Sequence, residues 1–281
     1  MQATLKSTRS LAICVDDFGL HPGVNAGVQR LAAQGRISAT SCLVNGPSWA
    51  AGAPALRAVD LQALDVGLHL DLTEHPCDVR LRLPVSGWIA AAWLGRVSRD
   101  DLRKEIELQL DRFEDAMGRP PSHVDGHEHV HQFPVVRELL IDSLLLRYPK
   151  QLPWLRSTKR APGAGNGAKA MLIETLGCAA TARLARSHGI VQNRHLLGVY
   201  DFQGTAAQYE LRLARWLAAA REGDLLMCHA AESTTHADPL LAARLNECQV
   251  LANKDFGTML EDKGLRIAPL SRIAAPGGLG G

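Results

Sequence analysis

The stretch LAICVDDFG at residues 11–19 decides the fold class. Its apolar run of five residues has the length of a buried strand, and it stops abruptly at Asp16 and Asp17. An amphipathic pattern at 22–34 follows at once, so the unit reads as strand, turn and helix. Where a dinucleotide-binding fold would carry a glycine-rich loop, this chain has Asp16-Asp17-Phe18-Gly19.

The same unit recurs along the chain. Short apolar runs at 39–44, 66–72, 122–124, 154–156, 196–200, 225–228 and 265–269 read as further strands. Helical patterns at 99–117, 134–146, 172–188, 206–221 and 239–253 lie between them. In 99–117, Leu102, Ile106, Leu110, Phe113 and Met117 fall on one stripe with charges elsewhere. Short strands alternating with helices imply βα units and a mostly parallel sheet. Seven or eight such units without a second core predict a (β/α) barrel, irregular or incompletely closed forms included. An open doubly wound sheet is the alternative, and periodicity does not separate the two. The 281 residues are read as a single domain, with 161–170 (APGAGNGAKA) as a mobile loop and 274–281 as a frayed tail.

Composition narrows the class of partner. A net charge of +2, with basic residues scattered, gives no reason to expect nucleic acid or an anionic membrane surface. The apolar run at 11–15 is far too short for a signal peptide or a membrane span, so the expected location is the cytoplasm. Six cysteines without a C-x-x-C pair, three of them (Cys14, Cys42, Cys228) inside apolar runs, read as reduced core residues. Oligomeric state is left open, a homodimer included.

The residues capable of chemistry fall where apolar strands end. Asp16 and Asp17 close the first strand, His69 lies in the third, the fourth runs into 123–131 (HVDGHEHVH), Arg156 ends the fifth and His229 the seventh. In parallel α/β folds these ends open on one face, and active sites are built there. His123, Asp125, His127, His129 and His131 are all odd-numbered, so an extended chain would put them on one face. Imidazoles so arranged suit a metal ion, with some of the group serving to orient the ligands. The blander readings are a surface cluster, a helix-capping Asp17 and a core His69.

These residues match a family. The chain resembles the YdjC/ChbG carbohydrate deacetylases, a group that includes a hopanoid-associated branch. The resemblance rests on Val15-Asp-Asp-Phe-Gly-Leu20, His21-Pro-Gly-Val-Asn-Ala-Gly27, Thr40-Ser-Cys-Leu-Val-Asn-Gly46, Val66-Gly-Leu-His-Leu70, Pro121-Ser-His-Val-Asp-Gly-His-Glu-His-Val-His131, Leu155-Arg156 and Leu226-Met-Cys-His229. It implies a barrel related to NodB-type polysaccharide deacetylases that removes acetyl from an N-acetylated mono- or oligosaccharide. It further implies Asp17, His69 and His127 as ligands of one divalent ion (zinc or magnesium), Asp16 as general base, Arg156 as the residue positioning that base and His229 as general acid. Two histidines and one carboxylate suit zinc better than magnesium. The family's Met-Cys-His-Pro is not kept, because Ala230 follows His229, which predicts a differently set loop there. Trp88 and Trp93 are placed to cover the mouth of the site or to pack beneath a loop. The competing classes are a metal-dependent phosphoesterase or amidohydrolase, commonly with two metals, and a non-catalytic metal or sugar binder.

Overall fold

A computed structural model describes residues 8–60, 62–165 and 167–273. The expected tail at 274–281 and Asn166 of the expected loop lie outside the described residues. The strands are β1 (Arg9–Phe18), β2 (Ala39–Cys42), β3 (Asp65–Leu70), β4 (His123–Gly126), β5 (Trp154–Leu155), β6 (Leu196–Leu197), β7 (Asp224–Cys228) and β8 (Leu265–Ile267). The helices are α1 (Pro22–Ala33), α2 (Trp49–Arg57), α3 (Val85–Trp93), α4 (Arg99–Met117), α5 (Val136–Arg147), α6 (Ala168–Thr175), α7 (Cys178–Ser187), α8 (Ala206–Ala219), α9 (Leu241–Ala252), α10 (Lys254–Asp262) and α11 (Leu270–Ile273).

Every strand pair is parallel, in the order β5-β4-β3-β2-β1-β7-β6. Strand β8 pairs only with the first residues of β1, Arg9 to Leu11. The sheet must be curled. Strands β1 and β5 are four steps apart, roughly 19 Å in a flat sheet, yet Arg156, just past β5, lies 2.6 Å from Asp16 on β1. Between β5 and β6 the ladder is interrupted; one isolated parallel bridge, Arg160 to Leu196, lies there. The fold is therefore a (β/α) barrel left open between its edge strands.

The period of two along β1 divides the interior. Leu11, Ile13 and Val15 face the helices and belong to the large outer core, whereas Ala12 and Cys14 face inward with Ala39, Trp154, Leu196, Leu225 and Met227. Leu270 and Ile273 of α11 close the lower end of this inner cluster. Small residues at 12, 14 and 39 leave the inside wide enough for Trp154 and for Arg156, which is fully buried. Burial of the outer apolar face, at about 25 cal/mol per Å², is the main force holding helices to sheet.

All eight expected strands are present, and α4 has the bounds that its stripe predicts. Strand β1 runs further than its apolar run because Asp16 stays extended inside the barrel, paired to Arg156. The pattern at 172–188 is broken at Gly177, whose φ of 136° and approach to the Gln132 carbonyl leave no room for a Cβ. The loop expected at 161–170 is corrected at its end, since α6 begins at Ala168. The extended reading of 123–131 holds only to Gly126. A 3₁₀ segment, His127–Gln132, follows, with Glu128 and His129 at positive φ. Among the described residues no helix is long and apolar enough to cross a membrane.

Candidate active site

Consecutive side chains on a strand point to opposite faces, so Asp16 and Asp17 can reach one site only if the backbone turns. It does. Asp17 has φ 69°, and the β1–β2 register shifts between Val15 and Phe18. Such irregularities re-aim side chains at barrel rims, at a cost of order 1–3 kcal/mol for the left-handed residue. Both carboxylates thereby line a cavity of ≈ 830 Å³ at the C-terminal ends of the strands, with His69, His127, His129 and His229.

One ligand atom each of Asp17, His69 and His127 lies within 4.8 Å of the others. Outer contacts fix which atoms face inward. His69 Nδ1 is 2.6 Å from Asp125 Oδ1, which leaves its Nε2 directed to Asp17 Oδ1 at 3.4 Å. Asp17 Oδ2 accepts from Arg244 Nη2 at 2.7 Å, and Oδ1 is left 3.1 Å from His127 Nδ1. On its far side His127 Nε2 is 3.6 Å from Glu74 Oε1. A carboxylate behind a histidine is the usual arrangement around a liganding imidazole. Burial opposes the charged form of Asp17, but Arg244 and His127 outweigh it and hold the carboxyl well below its ordinary range. For His69 burial disfavours the cation, and Asp125 and Asp17 overcome it, raising the imidazole to about 9. The three donors thus form a pocket that favours positive charge, and their chemistry fits a divalent ion.

Beside this set Asp16 is gripped by Arg156 through two bonds, Nη1 to Oδ2 at 2.6 Å and Nη2 to Oδ1 at 2.7 Å. The same guanidinium is 2.6 Å from Asp125 Oδ2. Two further groups, Asp16/His69/Asp125 and Cys14/His123/Asp125, also have ligand-like spacing. Arg156 occupies both, since Cys14 Sγ is 3.2 Å from its Nη2. A second cation there would displace or face a buried guanidinium.

His229 lines the cavity with its Nδ1 making no hydrogen bond to any described residue. Burial pushes this imidazole down to about 4. The rest of the histidine segment diverges. His131 turns inward, with Nε2 3.1 Å from the Arg156 carbonyl, and His123 stacks on Trp154 at 4.1 Å. Trp88 is buried and donates to the Leu72 carbonyl, while Trp93 packs edge-on against Phe133. Neither tryptophan lines the cavity; Val85 and Ile89 of α3 do.

The structure brings together all six expected site residues. It also adds two that the sequence reading omits, Arg244 and Glu247 on α9. Glu247 accepts the backbone N–H of His229 at 2.6 Å and the Tyr200 hydroxyl at 2.7 Å. The available signal was two charges at i and i+3 on the apolar face of that helix, beside Ala243, Cys248 and Leu251.

Fold and site together define an open parallel α/β barrel with a buried Asp/His/Arg centre at its C-terminal rim. The chain matches the model of the YdjC-like protein family over residues 10–262 and belongs to that family. It is 35% identical over 136 residues to a chitooligosaccharide deacetylase of Enterobacter sp. (strain 638), covering 46% of this chain and 53% of that one. To a carbohydrate deacetylase of Mus musculus it is 33% identical over 147 residues, 48% and 46% of the two chains. The match spans about half the length of these curated relatives. A solved structure from Enterococcus faecalis V583, provisionally named a cellobiose-phosphate cleavage protein, superposes with TM-score 0.69 at 21% identity, covering 95% of this chain and all of that one. A peptidoglycan N-acetylglucosamine deacetylase superposes with TM-score 0.52 at 11% identity, over 94% and 86% of the two chains, a likeness of fold.

Proposed function

We propose that this chain is a metal-dependent carbohydrate deacetylase, cleaving the acetyl amide of an N-acetylated mono- or oligosaccharide. The observation that carries the reading is the convergence of Asp17, His69 and His127 beside an Asp16 locked by Arg156. The names of the relatives point to the same substrate class. When bound, a divalent ion, zinc or magnesium, polarises a carbonyl and acidifies water. Asp17, His69 and His127 would hold it, and two imidazoles with one carboxylate favour zinc.

The remaining steps belong to side chains. Asp16, fixed in direction by the Arg156 fork, takes the proton of the attacking water. His229 stands in the cavity neutral, because burial pushes it down to about 4, and its Nδ1 makes no hydrogen bond to a described residue. It would serve as a relay, taking up at Nδ1 the proton that leaves the attacking water through Asp16 and passing it to the departing nitrogen. Apolar groups of Val85, Ile89, Leu172 and Phe202 offer a wall for the C–H faces of a sugar. Six free cysteines fit the reducing cytoplasm as the place of action.

Arg156 favours this reading over the two-metal phosphoesterase one, because it fills the neighbouring ligand groups. Zinc titration of metal-stripped protein should give one ion per chain, lost in Asp17→Asn. Two ions per chain would reverse the choice.

A further inference from the structure

Resting on the deacetylase reading, we infer that Glu247 and Arg244, one turn apart on α9, are positioning residues that set His229 relative to Asp17. His229 follows the last residue of β7 and has no intrinsic reason to hold one direction. Both ends of its backbone are gripped from α9. Its N–H donates to Glu247 Oε2 at 2.6 Å, and its carbonyl accepts from Arg244 Nη1 at 3.4 Å. Arg244 Nη2 also donates to Asp17 Oδ2 at 2.7 Å, so one guanidinium ties the His229 peptide to the ligand carboxylate. The opposite corner of that guanidinium, Nε, is 2.7 Å from Asp238 Oδ2 in a charge contact without hydrogen-bond alignment.

The grip extends to the neighbouring wall. Glu247 Oε1 accepts the Tyr200 hydroxyl at 2.7 Å, and Tyr200 packs on Phe202, whose ring meets the edge of His229 at 5.0 Å. His229 is thus fixed at its backbone by Glu247 and at its ring by Phe202, itself placed through Tyr200. Neither α9 residue is exposed: Arg244 is 2% and Glu247 0% accessible. Burying two ionisable groups is expensive, and their hydrogen bonds go to backbone and side-chain groups of the site rather than to each other.

The test combines Glu247→Ala, Glu247→Gln, His229→Ala and the double variant in zinc-loaded protein. Glu247→Ala should lower kcat by ~10–100-fold, as small misplacements of a reacting group do, with KM and zinc affinity changed less than twofold. Glu247→Gln, which keeps one acceptor oxygen, should recover most of the loss. Added to His229→Ala, Glu247→Ala should cost nothing further, because it acts through His229. Full additivity in that cycle would overturn the proposal. If the chain hydrolyses no N-acetyl sugar, the deacetylase reading fails on its own. The clamp is then read from the His229 ring resonances of metal-free protein, which should shift in Glu247→Ala and be restored in Glu247→Gln. Unchanged resonances in Glu247→Ala would overturn the clamp.

Discussion

Replacing Arg156 by methionine removes the cation shared by two buried carboxylates, and its cost can be worked from the contacts. Asp16 loses two charged hydrogen bonds of 2.6 and 2.7 Å, and Asp125 loses a contact of 2.6 Å. Breaking a buried ion pair from one side costs roughly 3–5 kcal/mol, because a charge is left without its partner. Methionine fills much of the same volume, so little of that is cavity. At ~2–4 °C per kcal/mol for a chain of this size, Tm should fall by ~6–20 °C near pH 7. The loss should depend on pH with a definite sign. In the native protein burial opposes ionisation of Asp125, but Arg156 and His69 outweigh it and lower the group far below 3.8. Its pairing therefore stabilises above pH 3.8, and the benefit fades as pH falls. In the variant burial dominates. The gap between the two proteins should be widest near neutrality and narrow toward pH 4 without closing, because the variant's carboxyl is protonated there while the native one stays ionised far below 3.8. Thermal melts of metal-free protein from pH 4 to 8 measure it. A variant within 1 kcal/mol of the native protein across that range would refute the reasoning.

Other consequences follow from single contacts. Burial pushes Glu247 up to about 7 from 4.5, so the group stabilises the fold fully below pH 4.5 and loses that as pH rises through 7. The swing is about 3 kcal/mol, and urea unfolding of Glu247→Gln should be correspondingly flatter between pH 5 and 8. Gly67→Ala should destabilise by at least ~1–3 kcal/mol, since the new Cβ would enter the space of the His123 ring, which Trp154 blocks from behind. A melt at neutral pH reads it directly. Zinc at 100 times its dissociation constant should add about 2.7 kcal/mol to native stability, and Asp17→Asn should abolish the increment in the same melt.

Much of this was legible in the sequence because it depends on local pattern. The strand starts and the stripe of α4 follow from periodicities of two and 3.6, and the strand-end position of Asp16, Asp17, His69, Arg156 and His229 follows from parallel topology. Three things were not legible, each for a physical reason. The turn at His127 breaks the period of two through left-handed residues at 128 and 129, and neither is the glycine that would announce such a backbone. The helices α2, α3 and α10 are only nine residues long, too short for a stripe to stand out. Arg244 and Glu247 sit in a helix whose apolar pattern reads as core, and only the curl of the sheet brings α9 over Asp17 and His229. Barrel closure is likewise a long-range property, decided here by the gap between β5 and β6.

The most direct measurement is acetate release from a panel of N-acetylated mono- and oligosaccharides by metal-stripped protein, with and without added zinc or magnesium. The account predicts release that requires the ion, disappears in Asp16→Asn while that variant still binds one ion, and disappears together with ion binding in His69→Ala. Release that persists without metal, or in Asp16→Asn, would contradict it.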